Sequence, residues 1–74
     1  MSKLPVVSGR NCVKALEKAG FYLKRQEGCH LIPRRDHPFA QVVVPDHRAL
    51  DPGTLRAIIR HAGLTTDGFQ QLLR

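Results

Sequence analysis

The spacing of apolar residues changes twice along this chain, and no other feature of the sequence constrains the fold as strongly. Residues 9–19 carry apolar side chains at the three- and four-residue intervals of one helix face. From residue 21 to residue 44 the apolar and polar residues alternate in short runs, which is typical of strands with one buried face. The helical interval returns after residue 51. The pattern therefore predicts a helix, a group of strands and a second helix.

Residues that begin and end helices stand at the boundaries of both helical segments. Ser8 is a candidate N-cap of the first helix, and Gly20 follows its end as a residue that tolerates positive φ. Asp51 is the candidate N-cap of the second helix. Pro52 occupies its first position, where a missing N–H costs little, and Gly63 closes it. These signals bound the two helices from local chemistry alone.

Three extended runs lie between the helices: residues 21–26, 30–34 and 39–44. Glu27-Gly28 is predicted to form a two-residue hairpin turn between the first two, because glycine takes the positive φ that such turns require. This turn would place Arg25 opposite His30, and Leu23 opposite Ile32. A four-residue loop is the alternative. The register of the hairpin is therefore an expectation that depends on the turn.

The most economical packing places both helices on one face of a three-stranded antiparallel sheet, since each helix has one apolar stripe and each strand one better apolar face. The predicted class is α+β in the order α-β-β-β-α, with a short C-terminal helix that Thr65 is expected to cap. This is the topology of the double-stranded-RNA-binding domain. With 74 residues, the chain is expected to form a single domain over residues 1–74.

The balance of charge favours a polyanionic partner. Twelve Lys and Arg residues face six Asp and Glu residues, which gives a net charge of +6. Cations of this density bind phosphates with release of counterions, although a basic surface can also serve solubility alone. Four basic residues on or beside the hairpin are predicted to contact RNA: Lys24, Arg25, Arg34 and Arg35. The N-terminus of the second helix, around residues 52–54, offers further N–H groups to a phosphate.

Neither a membrane span nor a disulfide framework is expected. No apolar stretch approaches the roughly 20 residues of a transmembrane helix, and the two cysteines, Cys12 and Cys29, do not form a disulfide pattern. No pair of histidines or cysteines has the spacing of a metal-ligand motif. The sequence predicts a reduced, cytoplasmic protein without a metal or another cofactor.

His30 is the candidate catalytic residue. It follows a glycine turn, begins a strand, and lies near Lys24 and Arg25. An imidazole exchanges protons near neutral pH, and neighbouring cations favour its neutral, proton-accepting form while stabilising charge on a phosphate. The alternative is an ordinary polar residue at the end of a sheet. The remaining histidines are expected to be solvent-exposed: His37, His47 and His61.

Two segments, in order and spacing, resemble the HicA family, the toxins of HicA–HicB toxin–antitoxin pairs. Arg25–His30 reads RQEGCH and is similar to the family's hairpin motif R-Q-x-G-S-H, while Gly53–Leu64 is similar to its second helix. Residues 4–21 and 42–45 also resemble family segments. Cys29 stands where the family usually has serine. Leu31 stands where a polar residue or a second histidine is often found.

The resemblance implies a fold like that of the double-stranded-RNA-binding domain and a metal-independent ribonuclease that cleaves mRNA and blocks translation. It implies that His30 is catalytic, and that a HicB-type antitoxin binds the toxin and covers this site. The free toxin is expected to be monomeric. Two other functions stay open from the residues alone: a non-catalytic RNA-binding module and a domain that only binds another protein.

Overall fold

The predicted order of elements is found in the computed structural model, which describes residues 4–74. The helices are α1 (Gly9–Lys18), α2 (Pro52–His61) and α3 (Thr66–Leu72). The strands are β1 (Tyr22–Glu27), β2 (His30–Arg35), β3 (Ala40–Gln41) and β4 (Val44–Pro45). All strand pairs are antiparallel, with β2 between β1 on one side and β3 and β4 on the other. The fold is α+β and consistent with the double-stranded-RNA-binding-domain class.

All three helices begin at the predicted N-caps. The side-chain oxygens of Ser8, Asp51 and Thr65 each accept the backbone N–H of the residue three positions later, at 3.0–3.1 Å. Gly20 and Gly63 follow the ends of α1 and α2 with φ of 95° and 77°. These are conformations that glycine adopts without steric cost. The helix boundaries predicted from the capping residues are therefore confirmed.

The hairpin turn consists of Gly28–Cys29, and the predicted turn at Glu27–Gly28 is wrong. Glu27 lies opposite His30 across the two strands. Gly28 has φ of 58°, whereas no non-glycine residue in the described chain has positive φ. Of the two-residue turns favoured in hairpins, the type with a single positive φ has glycine at its first position. Glycine therefore leads this turn, which moves the turn by one residue and the partner of His30 by two, from Arg25 to Glu27.

The new register changes the neighbours of β1. Arg25 lies opposite Ile32, and Leu23 lies opposite Pro33. The register shifts between these two pairs, so Lys24 is the extra residue of a bulge. The predicted pairs of Arg25 with His30 and of Leu23 with Ile32 are wrong, because they depended on the misplaced turn.

The third predicted strand, residues 39–44, is interrupted in its middle. The two pieces, β3 and β4, pair with β2 in one continuous register. In that register Pro33 lies opposite Val42 and accepts its N–H at 3.1 Å, but the proline nitrogen has no hydrogen to donate in return. Pro33 thus breaks the ladder. Pro45, one residue beyond the predicted run, pairs with His30.

Successive residues of β2 point to opposite faces of the sheet. The inner face is defined here by Leu31, Pro33 and Arg35, and the outer face by His30, Ile32 and Arg34. Side chains of all three helices join Leu31 in one apolar core, in which Leu16 and Phe69 are fully buried. Both long helices therefore pack on the inner face, as predicted.

Gly9 allows α1 to begin in direct contact with β4. A Cβ atom at this position would overlap the carbonyl oxygen of Pro45, and the Gly9 N–H donates to the carbonyl of His47 at 2.9 Å. Among residues 4–74, helices reach at most 10 residues. None of them combines the length and apolarity needed to cross a bilayer.

Candidate functional site

His30 is exposed at the start of β2, and its main chain is held on both sides. Glu27 pairs with it from β1 and Pro45 from β4. The preceding turn is anchored as well, because the N–H of Asp46 donates to the carbonyl of Cys29 at 2.7 Å. The imidazole is therefore presented to solvent on the outer face from a rigid backbone, as a catalytic group needs to be.

The residue directly across the hairpin from His30 carries a carboxylate. Glu27 shares the outer face with His30 and accepts a hydrogen bond from Nε of Arg25. Directly opposed side chains on adjacent strands are close enough to interact. A carboxylate at this position can accept an imidazole N–H and orient the ring. The structure thus groups Arg25, Glu27 and His30, whereas the sequence predicted Arg25 and His30 alone.

Lys24 is exposed at the bulge of β1, within reach of the same edge of the sheet. Within residues 4–74 it makes no ion pair. Its ammonium group is therefore available to an external anion. Arg25 also keeps guanidinium N–H groups beyond the one that Glu27 accepts, because a guanidinium carries five.

Arg34 lies on the outer face at the opposite end of β2. Its guanidinium is 5.1 Å from the centroid of the Phe39 ring, and its Nε donates to Asp36 at 2.8 Å. The hydroxyl of Tyr22 donates to the same carboxylate at 3.2 Å. The hydrogen bond from Arg34, followed by that from Tyr22, lowers the pKa of Asp36 below its ordinary value. These four side chains form one connected surface cluster.

Arg35 lies on the inner face and contacts the protein's own main chain. It donates to the carbonyls of Pro38 at 2.9 Å, Ala19 at 3.4 Å and Ala62 at 3.3 Å. Its guanidinium also lies 4.7 Å from the centroid of the buried Phe21 ring. The geometry gives Arg35 a structural role. Its predicted contact with RNA stays a prediction.

The N-terminus of α2 already holds an anion, which is the protein's own. Asp51 accepts from the N–H of Thr54 at 3.1 Å and from its Oγ1 at 2.6 Å. These hydrogen bonds lower the pKa of Asp51, so the group is ionised at neutral pH. The phosphate site that the sequence suggested here is therefore occupied by the capping carboxylate.

The other histidines and the two cysteines differ in their exposure. His37, His47 and His61 are exposed, as predicted. Cys29 is exposed, while burial of Cys12 raises the pKa of its thiol to about 12. In the described part of the chain, no three His, Cys, Asp or Glu side chains are grouped so that they could hold a metal ion.

The sequence reasoning missed Glu27 and the aromatic residues Tyr22 and Phe39 as members of this surface. The signal for Glu27 was present, since a glycine that leads the turn places the residue before it opposite His30. The signal for Phe39 was its position at the start of residues 39–44, along which exposed and buried residues alternate. Without the strand register, neither a glutamate nor a phenylalanine at these positions indicates a functional surface.

Comparison with protein families gives one match, over residues 9–64, to the family described as the HicA toxin of bacterial toxin-antitoxin. The matched region runs from the first residue of α1 to just beyond α2 and includes His30. No match was found among the curated proteins or among the solved structures.

Proposed function

The chain belongs to the HicA family of toxins of bacterial toxin–antitoxin systems, and from that membership we propose that it is a metal-independent endoribonuclease that cleaves mRNA and blocks translation. The observation that supports this activity is the exposed imidazole of His30 on the outer face, with Lys24, unpaired within residues 4–74, and the partly free guanidinium of Arg25 on the neighbouring strand. A ribonuclease of this kind needs a proton acceptor and cations within reach of one phosphate.

The reaction proposed is transfer of the phosphate to the neighbouring ribose hydroxyl. The neutral imidazole of His30 takes the proton of the 2′-hydroxyl, and the resulting oxygen attacks the adjacent phosphorus. The bond from phosphorus to the 5′ oxygen breaks, and that oxygen takes a proton from solvent. The products are a 2′,3′-cyclic phosphate and a 5′-hydroxyl. No step requires a metal.

Two cations and one carboxylate support this step. Lys24 and the free N–H groups of Arg25 hold the phosphate and stabilise the charge that develops on its oxygens. Glu27 has a different role, which is to orient the ring of His30 and to fix Arg25 through their ion pair. Arg25 is therefore placed by a residue of its own strand before any RNA binds.

Membership of the family also implies an antitoxin partner. We propose that this partner is of the HicB type and inhibits the toxin by covering His30, and that the free toxin is a cytoplasmic monomer. An exposed site on a sheet face can be blocked by any protein surface that docks there. Inhibition by occlusion predicts that antitoxin and RNA compete for binding.

The test is cleavage of a labelled RNA by the wild type and by His30→Ala, with a chelator present throughout. The variant should lose roughly 10²–10⁴-fold in rate, which is the usual contribution of a positioned acid or base. His37→Ala is the matched control, because it removes another exposed histidine from a turn and should keep full activity. Circular dichroism of each variant checks that the fold is intact.

Three results would contradict the proposal. Full activity of His30→Ala would remove this mechanism, and loss of cleavage in the chelator would show a metal requirement. An RNA that binds but is cleaved by neither protein would identify a non-catalytic RNA-binding module instead.

A further inference from the structure

The two aromatic side chains outside the core lie together on the outer face. Phe39 is 64% exposed and Tyr22 is 44% exposed, whereas Phe21 and Phe69 are buried. Resting on the proposed ribonuclease function, we propose that Phe39, Arg34 and Tyr22 form a stacking platform for an unpaired base of the RNA substrate. This platform is a binding site separate from the catalytic group at His30.

The platform is organised before any ligand binds. Arg34 is held over the ring of Phe39, at 5.1 Å from its centroid, by the hydrogen bond of its Nε to Asp36. The hydroxyl of Tyr22 donates to the same carboxylate and fixes the second ring beside it. Aromatic rings and guanidinium planes are the groups on which proteins stack unpaired bases. Little conformational entropy remains to be lost on binding.

The platform and His30 share one strand and one face. Arg34 is four residues from His30 along β2, or roughly 13 Å at the rise of a strand. Between them lies Ile32, which is buried, and in the continuous register of the third strand Val43 lies beside it with 54% exposure. A single-stranded RNA that lies along β2 thus has a phosphate at His30 and a base at Arg34. Between these two sites it crosses the apolar surface of Ile32 and Val43.

Single-stranded RNA fits this surface better than duplex RNA. A duplex keeps its bases stacked on one another, so it cannot present a base face to Phe39 without opening. A chain with net charge +6 attracts either form through its phosphates. The platform therefore adds a preference that charge alone does not give. Arginine and aromatic residues also occur at protein interfaces, and the experiment distinguishes that case.

The test measures RNA affinity in a His30→Ala background, where the RNA is not cut. Phe39→Ala should weaken binding of a short single-stranded RNA roughly tenfold, the effect of losing one stacked base, and should change duplex binding little. Phe39→Tyr keeps the ring and should keep the affinity. Val6→Ala is the control for lost apolar surface, since Val6 is 78% exposed on the segment before α1.

A second measurement separates this proposal from the ribonuclease itself. With His30 present, Phe39→Ala should cleave a dinucleotide as fast as the wild type, because that substrate ends before the platform. Longer RNA should show a raised KM. Unchanged affinity and KM in Phe39→Ala, with active wild type, would overturn the platform and leave the ribonuclease standing.

The remaining outcomes also distinguish the stacking platform from the ribonuclease activity. If Phe39→Ala weakens binding of the antitoxin but not of RNA, the cluster is a protein-docking surface and the platform is wrong. If the wild type binds single-stranded RNA through Phe39 but cuts none, the platform stands and the ribonuclease fails. If the wild type binds no RNA, both fail.

Discussion

Arg34 and Arg35 are adjacent in sequence, and each guanidinium lies over a phenylalanine ring, but they face opposite sides of the sheet. Arg35 covers the buried Phe21 and donates only to main-chain carbonyls. Arg34 covers the exposed Phe39 and donates to the carboxylate of Asp36. The same residue type thus joins the helices to the sheet on one face and organises a surface on the other.

The difference shows how a partly buried cation is accommodated without a counter-ion. Ala19 and Ala62 are the C-cap residues of α1 and α2. Carbonyl groups at helix C-termini lack partners within the helix and carry partial negative charge. Arg35 satisfies both ends at once. The ion pair of Arg34 with Asp36 is open to water, so it contributes little to stability and mainly sets geometry.

The difference between Arg34 and Arg35 can be tested first by replacing each arginine with methionine. Arg35→Met should lower the free energy of unfolding by roughly 2–4 kcal/mol, because it removes charged hydrogen bonds from the partly buried carbonyls of Ala19 and Ala62. Arg34→Met, the matched control, should cost clearly less. Urea denaturation followed by circular dichroism measures both. Equal losses in the two variants would show that the faces do not differ as described.

The second prediction concerns the turn that sets which residues of β1 pair with β2. Gly28→Ala should cost about 1 kcal/mol, because φ of 58° is unfavourable for alanine. No atom lies within 4 Å of the added Cβ, so the cost comes from the backbone alone. Gly28→Asn should cost less, since asparagine tolerates this conformation. Thermal unfolding of the two variants checks the order, and a reversed order would refute the turn geometry.

The third and smallest effect concerns pH. The pKa of Asp36 is lowered in the folded protein, so its stabilising contribution is full above the ordinary value of 3.8 and is lost as pH falls through the lower, folded value. Acidification should therefore release Arg34 but not Arg35, whose acceptors are neutral carbonyls.

Nuclear magnetic resonance of the two Nε–H groups measures this difference during an acid titration. Asp36→Asn is the control, and in it the Arg34 signal should no longer follow the titration. A shift of the Arg35 signal with the same midpoint as that of Arg34 would contradict the assignment of separate acceptors.

Those features that depend on neighbours in sequence could be predicted. The caps Ser8, Asp51 and Thr65 act over three residues, and the structure places all three as expected. The α+β order followed from the change of apolar spacing. The position of His30 at the start of β2 was also predicted, because the glycine turn and the following strand are both local signals.

The pairing of strands could not be predicted, because it depends on the turn type and on the partner strand. Moving the turn by one residue shifted the pairing by two, so Glu27 replaced Arg25 as the neighbour of His30. Pro33 interrupts a strand that lies seven or more residues away, which the pattern of that strand does not reveal. The sequence predicts both Arg34 and Arg35 as RNA contacts, and alternation along β2 places them on opposite faces.

The Arg35 contacts also have a consequence for the lifetime of the native state. Those to Ala19 and Ala62 join the sheet to the ends of both long helices, so they form only after both helices have docked. Interactions made that late leave the folding rate nearly unchanged and slow unfolding. Stopped-flow kinetics of Arg35→Met would show this as faster unfolding with normal refolding. The guanidinium of Arg35 thereby lengthens the lifetime of the folded state by slowing its unfolding.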